Sequence, residues 1–304
     1  MALVEVVLED LTSLALLAAS AMVPITLASI GEIASERAGI VNIGLEGIML
    51  ASAWAAVAVY ILTGWGPLAG YLMGAFLGLS IGILHGVVSV YLKGDQIVTG
   101  VGLNIFSAGA TVVGTYMLWG TFSNSPPVEP MPGFVIAGVR ISPMVPLSLA
   151  AGVAVWLFLY RTIAGLRLRS CGEDPRSAEA MGVNVALYQV AAAGFAGLMA
   201  GLAGAYLSID YQGVFAKNMT AGRGFIALAN VAFSGWNPLA ALLGGYVFGF
   251  SEALAIYLNI SLEATAASNL VNTIPYIATL AAVTLVAFRK PRMPAWLGRP
   301  YIKE

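Results

Sequence analysis

Charged residues are scarce in this chain. Asp, Glu, Lys and Arg make up 10% of its 304 residues, whereas soluble domains contain about 25%. Residues of the set AVILMFWYC make up 59%, and the mean hydropathy is +0.88. So few charged groups cannot cover the surface of a soluble domain, so lipid must be the solvent for most of the chain. The composition therefore predicts an integral membrane protein.

Other residue types are too rare for several kinds of site. Cys171 is the single cysteine, which excludes a disulfide within the chain and a cysteine metal cluster. His85 is the single histidine, which excludes a multi-histidine metal site. The net charge of −1 and the lack of a basic stripe argue against nucleic acid as a partner. No G-x-x-x-x-G-K-[ST] phosphate loop occurs, so the chain cannot hydrolyse a nucleotide by that route.

Long apolar segments dominate the chain instead. A membrane-crossing helix needs about 20 mostly apolar residues. The segment 223–236 is short for an upright span, so it is either a tilted span or a half-helix. We predict an all-α polytopic membrane helix bundle of about eight to ten spans, including broken or half-helices. The predicted segments are 11–30, 46–63, 67–91, 96–118, 143–160, 186–208, 223–236, 238–258 and 269–288.

The basic residues predict the orientation, because Lys and Arg are enriched in short cytoplasmic loops. The segment 161–185 and the C-terminal tail are the most basic parts, and both are expected inside. Counting spans backward also places Arg37 and Lys93 inside, and Arg140, Lys217 and Arg223 at the outer side. The acidic N-terminus is expected outside. The tail contributes Arg289, Lys290, Arg292, Arg299 and Lys303.

Glycine recurs every fourth residue from Gly70 to Gly86, at positions 70, 74, 78, 82 and 86. Such small-xxx-small patterns let helix backbones approach closely in lipid. The repeat favours packing within the subunit over a subunit interface or a sliding surface. His85 lies in the same span, and a hydrogen-bonded packing role is favoured over a proton relay.

Two stretches, 31–47 and 217–238, mix glycine with polar residues between apolar runs. Non-helical backbone at membrane depth is tolerated where it is buried in protein or lines a cavity. Interrupted segments in two halves of a chain are typical of a transport path. The alternative is a pair of ordinary interfacial loops. Asn104 and Glu252 lie within predicted spans, as pathway residues or as polar contacts between helices.

The basic segment 161–185 predicts a short surface helix. Asp174 can cap the helix with Pro175 at its first position, and Gly182 can end it. Ala178 and Met181 would give it a small apolar face. A short exposed helix of this kind suits a groove on another protein, and the alternative is a plain amphipathic connector.

Four stretches carry a family resemblance. They are GEIASERAGIVNIGLEG at 31–47, DQIVTG at 95–100 with Leu103 and Asn104, GLRLRSCGEDPRSAEAMGVNV at 165–185, and NMTAGRGFIALANVAFSGWNPLAALLG at 218–244. The chain resembles the permease subunits of ABC importers of the ribose, branched-chain amino acid and nucleoside class. The likeness is closest to the nucleoside, simple-sugar-type permeases. The usual Glu-Asn-Pro of that loop is Glu173-Asp174-Pro175 here, and Asp replaces Asn well as a helix cap.

The resemblance implies a single permease domain over 1–304 in the plasma membrane, with a cytoplasmic coupling loop at 161–185. That loop would dock on a separate ATPase, which binds ATP and Mg²⁺, while this chain binds no cofactor and no metal. A second homologous permease, forming a heterodimer, and an external substrate-binding lipoprotein are the other implied partners. The residues expected at the ATPase contact are Gly172, Glu173, Asp174, Pro175, Ala178, Met181 and Gly182.

The substrate path is predicted from side-chain chemistry. Asn and Glu can bond ribose hydroxyls, and Phe can stack on a base. A nucleoside carries no net charge, which suits a path with few charges. The residues expected near the path are Asn42, Glu46, Asn104, Arg223, Phe225 and Asn230.

Other functions stay open at this point. A ribose-like sugar or a branched-chain amino acid would suit the same kind of path. An ion-coupled secondary transporter would need a carboxylate deep in a span, for which Glu252 is a candidate, but it would leave the short surface helix unexplained. A purely structural membrane protein would leave the two interrupted stretches without a purpose.

Overall fold

The computed structural model describes residues 2–261, 271, 273–289 and 292–302. Helices make up nearly all of the regular structure there, with one short hairpin. In chain order the elements are α1 (Ala2–Arg37), α2 (Leu45–Thr63), α3 (Pro67–Val90), α4 (Gln96–Trp119), β1 (Phe134–Ile136), β2 (Val139–Ile141), α5 (Met144–Arg161), α6 (Ile163–Glu173), α7 (Pro175–Ala180), α8 (Val185–Tyr206, continued by a π-helical turn at Leu207–Tyr211), α9 (Arg223–Phe233), α10 (Pro238–Ser261) and α11 (Ile274–Arg289).

Seven of these helices are long and apolar enough to cross a membrane, which confirms the predicted polytopic bundle. The other two predicted segments form shorter helices, because α9 has 11 residues and α11 has 16. Positions 269, 270 and 272 of the last predicted segment lie outside the described residues. The segment 212–222 ahead of α9 is not helical. Of the two alternatives for 223–236, the half-helix is therefore confirmed.

The glycine repeat of α3 packs against α8. A Cβ on Gly78 would lie 2.7 Å from the Cα of Gly201, and a Cβ on Gly82 would lie 2.9 Å from the Cα of Gly197. Real Cβ atoms do not approach that closely, so only glycine permits this backbone contact. Packing within the subunit, the favoured interpretation of the repeat, is confirmed.

Helix α1 lies at the centre and packs against α8 and α10. It continues to Arg37, so the prediction that the whole stretch 31–47 is interrupted is wrong for its first seven residues. Gly31 does not break the helix, because its lack of a Cβ allows α8 to approach; a Cβ there would lie 3.0 Å from the Cα of Ala196. The interruption is confined to 38–44.

Several connections meet at one end of the bundle, which we call the basic end. Arg37 donates to the carbonyl of Trp236 at 3.1 Å and to the hydroxyl of Tyr160 at 3.2 Å. The loop that contains α6 and α7 lies here, and so does the C-terminal tail, since Gly298 N donates to the carbonyl of Gly39 at 3.0 Å. The segments predicted to share the cytoplasmic side therefore share one end. Lys290 and Lys303 of the predicted basic tail lie outside the described residues.

The opposite end is covered by the connection between α4 and α5. This connection pairs with the segment after α8, where Ser125 N donates to the carbonyl of Phe215 at 2.9 Å. It also contains the antiparallel pair β1–β2. The hairpin was not predicted, because its strands have three residues each. Ala137 and Gly138 both have positive φ, as a type I′ hairpin turn requires.

The segment 161–185 forms two helices rather than the single one predicted. The hydroxyl of Thr162 accepts from Gly165 N at 3.0 Å and starts α6. The sequence of α6 alternates Leu and Arg, so it lacks the long apolar stripe that identifies a span. Helix α7 then begins at Pro175 after Asp174, as predicted.

Candidate functional site

Two asparagines hold the non-helical backbone at the start of α2. Asn42 Oδ1 accepts from Gly44 N at 2.9 Å. From α4, Asn104 Oδ1 accepts from Gly47 N at 2.7 Å, while Asn104 Nδ2 donates to the carbonyl of Ile43 at 3.0 Å. The first N–H groups of a helix have no partner within it, and these side chains supply some of the partners.

Buried polar side chains of α1, α3 and α4 contact the backbone of the same segment. The carboxylate of Glu32 accepts from Asn42 N at 2.6 Å, and Gln96 Oε1 accepts from Val41 N at 2.8 Å. Nε2 of His85 lies 3.0 Å from the carbonyl oxygen of Val41. His85 is buried, and this contact joins α3 to the segment before α2, which agrees with the packing role that its position favoured.

Glu46 joins the start of α2 to the start of the half-helix α9. Its two carboxylate oxygens accept from Gly222 N at 2.8 Å and from Gly224 N at 2.7 Å. A negative charge is favourable at a helix N-terminus, where N–H groups are free and the dipole is positive. A Cβ on Gly224 would lie 2.6 Å from the Cα of Glu46, so the two backbones touch. Two helix starts that meet inside a bundle are a feature of transporter binding sites.

Arg223 connects the half-helix to α10. Its guanidinium pairs with the carboxylate of Glu252, and the two side chains are 12% and 15% exposed. The hydroxyl of Tyr211 donates to the same carboxylate at 2.9 Å. These groups line a cavity of about 290 Å³, together with Tyr276 and Pro275 from α11. The cavity therefore combines aromatic rings with a charge pair that has no net charge.

The remaining two predicted path residues lie apart from this group. Asn230 is fully buried, and its Nδ2 donates to Ser29 Oγ and to the carbonyl of Ala241, both at 3.0 Å. Its described contacts tie α9 to α1 and α10. Phe225 projects from the half-helix and is 48% exposed. The structure thus gathers Asn42, Glu46 and Asn104 around one helix start, with Arg223 between the two glycines whose N–H groups bond Glu46.

The π-helical turn after α8 places a further acid that the sequence analysis did not single out. The side chain of Asp210 is buried, and it accepts from Met131 N at 2.7 Å and from the hydroxyl of Tyr71 at 2.7 Å. Arg140 pairs with it at 3.2 Å, and Ser142 also donates to it. The predicted span 186–208 stopped two residues short of Asp210. A span extended to residue 211 would have identified an intramembrane acid, which is a functional candidate.

At the basic end, Asp174 caps α7 as predicted. Its Oδ1 accepts from Arg176 N at 3.1 Å and from Ser177 N at 3.2 Å. The hydrogen bond from the Ser177 hydroxyl, followed by the one from the Ser177 amide, lowers the pKa of Asp174 below its ordinary value of 3.8. Gly182 has φ +81° and follows the end of the helix. The cap is therefore charged and intact at neutral pH.

The two apolar residues expected on one face of α7 lie on different sides. Ala178 is 4% exposed and packs against Cys171, Val185 and Tyr301 of the same chain, whereas Met181 is 85% exposed. The expectation of a shared outer face is wrong, because Ala178 is needed to seat α7 on its own subunit. Gly172 and Pro175 are buried, and Glu173 and Asp174 are exposed.

A groove of about 500 Å³ runs between α6 and α7 at the surface. Its lining includes Met181 and two exposed apolar residues of α6, Ile163 and Leu166. The sequence analysis missed both, because it did not predict α6. Three exposed apolar side chains therefore surround one groove.

Residues 14–283 match the family described as "Branched-chain amino acid transport system / permease component". The chain belongs to this family. The resemblance inferred from the four sequence stretches is thereby confirmed. The family consists of transport components, so this permease is a multi-pass membrane protein of an ABC transporter. A permease of that kind works with an ATPase and a binding protein.

Three relatives illustrate the range within the family. The putative glucose ABC transporter permease protein TsgC13 of Haloferax volcanii is 34% identical over 91% of this chain and 94% of its own length. The nucleoside ABC transporter permease protein NupC of Lactococcus lactis is 34% identical over 77% and 78%. The guanosine ABC transporter permease protein NupQ of Bacillus subtilis is 31% identical over 92% and 93%.

Proposed function

We propose that this permease forms the translocation path of an ATP-driven importer of nucleosides. The observation that carries the substrate class is the similarity to two permeases named for nucleosides and guanosine, NupC and NupQ. An external binding lipoprotein delivers the nucleoside, and a second homologous permease completes the path. ATP and Mg²⁺ bind to the partner ATPase.

The geometry around the half-helix supports a neutral, polar substrate. Glu46 and Asn104 retain partial exposure beside the interrupted backbone, and Phe225 offers an aromatic face. The cavity beside Arg223 and Glu252 is near the lower limit of the sizes usual for small-molecule sites, about 300 Å³. Because Glu252 is paired with Arg223, it is not the unpaired carboxylate that an ion-coupled transporter would use.

The ATPase docks on the groove between α6 and α7 in this proposal. Met181, Ile163 and Leu166 supply apolar contacts, and the capped helix α7 supplies a rigid edge. A charge placed on this groove should reject the partner, because the contact would bury it unpaired.

Co-purification tests the docking surface. We expect Met181→Arg to remove the ATPase from complexes captured through the permease. Leu92→Arg is the matched control, since Leu92 is 71% exposed in the turn after α3 at the same end. Retention of the ATPase at wild-type stoichiometry in Met181→Arg would contradict this placement.

Hydrolysis assays test the substrate class. With the complete complex in liposomes, guanosine-loaded binding lipoprotein should stimulate ATP hydrolysis, and the empty lipoprotein should stimulate it less. A second candidate is a sugar importer, which the 34% identity to the putative glucose permease favours. Stimulation by glucose and not by guanosine would replace the nucleoside with a sugar and keep the importer.

A further inference from the structure

The C-terminal tail crosses the basic end as a strap. We define the strap as residues 294–302. Trp296 N donates to the carbonyl of Gly172 at 2.8 Å, and Gly298 N donates to the carbonyl of Gly39 at 3.0 Å. The strap therefore joins the end of α6 to the turn between α1 and α2.

Tyr301 makes the far connection of the strap. Its hydroxyl donates to the carboxylate of Glu179 on α7 at 2.5 Å. Its carbonyl accepts from Nζ of Lys93, in the turn between α3 and α4, at 2.5 Å. Its ring packs on the buried cluster that contains Cys171 and Ala178. One residue thus bonds α7 with its side chain and the helical bundle with its backbone.

A cavity separates the groups that Tyr301 connects. It measures about 610 Å³ and lies between the end of α3 and the turn from α7 to α8. Lys93 and Glu179 line it from the two sides, and Tyr301 lines it as well. Across this cavity Tyr301 bonds both Lys93 and Glu179, in addition to the packing of Ala178 on Val185 at the start of α8.

We propose that the strap transmits movement of α7 to the transmembrane helices, with Tyr301 as the positioning residue. The proposal rests on the proposed docking of the ATPase at α7. When the ATPase displaces α7, the bond to Glu179 moves Tyr301, and the bond from Lys93 moves the α3–α4 turn with it. Helix α3 packs along α8, and α8 ends at the π-helical turn beside the Arg223–Glu252 cavity. A continuous set of packed elements therefore leads from α7 to the proposed path.

If the strap only stabilises the fold, a different result is expected. Weakening the strap would then lower the stability of the complex and leave the amount of substrate moved per ATP unchanged. A transmission element changes that ratio while the complex stays assembled. The ratio of uptake to hydrolysis is therefore the decisive quantity.

The test uses the complete complex with its partner permease, ATPase and binding lipoprotein. Tyr301→Phe removes the hydroxyl and keeps the ring and the carbonyl, and Glu179→Ala removes the acceptor. Tyr91→Phe is the control, since Tyr91 is exposed and lines the same cavity. Uptake of labelled guanosine and ATP hydrolysis are measured on the same proteoliposomes, with ATPase stoichiometry determined on a gel.

We expect uptake per ATP to fall at least about tenfold in each single variant, the effect of losing one hydrogen bond to a charged group. The double variant should fall no further, because both changes remove one interaction. Tyr91→Phe should match wild type. An unchanged ratio in both single variants, or a fall that accompanies loss of the ATPase, would overturn the proposal.

A failure of the proposed function can be distinguished from a failure of the strap proposal. If the wild-type complex moves glucose and not guanosine, the nucleoside assignment fails, and the same ratio measured with glucose still tests the strap. If the ATPase binds a surface other than α7, Met181→Arg retains it, whatever the strap variants do.

Discussion

The contact between α3 and α8 makes a sharp prediction for Gly78→Ala. The added methyl group would lie 2.7 Å from the Cα of Gly201 and 2.9 Å from its N, whereas ordinary contacts begin at 3.4 Å. All nearby atoms belong to the backbone of α8, so no side chain can rotate away. The two backbones must therefore move apart at this contact. We expect a cost of about 3 kcal/mol, at the upper end of the usual penalty for overpacking.

A matched control separates this penalty from helix propensity. Gly109 lies in the middle of α4 and has no atom within 4 Å of the position of its Cβ. Gly109→Ala should therefore be neutral or stabilising, since Ala is favoured over Gly in a helix by about 1 kcal/mol. Both variants are unfolded in mixed micelles by added SDS and followed by tryptophan fluorescence. Equal midpoints for Gly78→Ala and Gly109→Ala would refute the reasoning.

Three further predictions concern the charge pair, the cysteine and the helix cap. Arg223→Ala should cost about 1–3 kcal/mol by leaving the partly buried Glu252 without its ionic partner, and adding Glu252→Gln should recover part of the thermal stability and of the uptake; a double variant no more stable than the single one would contradict this. Burial raises the pKa of Cys171 to about 11 from 9.0, so iodoacetamide at about pH 7.5 should modify it roughly 100-fold more slowly in the folded protein than in denaturant; equal rates would show that the loop is open. The lowered pKa of Asp174 means that the charged cap stabilises α7 fully above the ordinary value of 3.8, and that this stabilisation is lost as the pH falls through the lowered pKa. Amide hydrogen exchange of 176–180 should accelerate there relative to Asp174→Asn, and parallel profiles for the two proteins would contradict the assignment.

Most of the fold could be predicted from local sequence patterns. The apolar segments predicted the spans, and the four-residue glycine repeat predicted close packing, because both depend on residues that are near in sequence. The cap at Asp174 was predictable for the same reason. Helix α6 was not, since it owes its position to contacts at the basic end, where Leu168 and Cys171 are buried. The role of Gly31 was not predictable either, because it is set by a contact with α8, where Ala196 leaves room only for glycine.

The contacts within the candidate site could not be predicted from the sequence. Polar residues in interrupted segments were identifiable, but their partners were not. Glu46 bonds the backbone at positions 222 and 224, and Arg223 pairs with Glu252. A single sequence holds no signal for such distant contacts. Asn230, which was predicted near the path, is enclosed by its own subunit. Asp210 was not identified, because it lies just beyond the end of a predicted span.

ATP-dependent uptake of labelled guanosine tests the central claim most directly. The complete complex is reconstituted in liposomes with the external face outward, and ATP is supplied or withheld at the ATPase face. We predict accumulation that requires ATP and the binding lipoprotein, and that excess unlabelled adenosine abolishes while glucose and leucine do not. Accumulation without ATP, or no accumulation of any nucleoside while ATP is hydrolysed, would contradict an ATP-driven nucleoside importer.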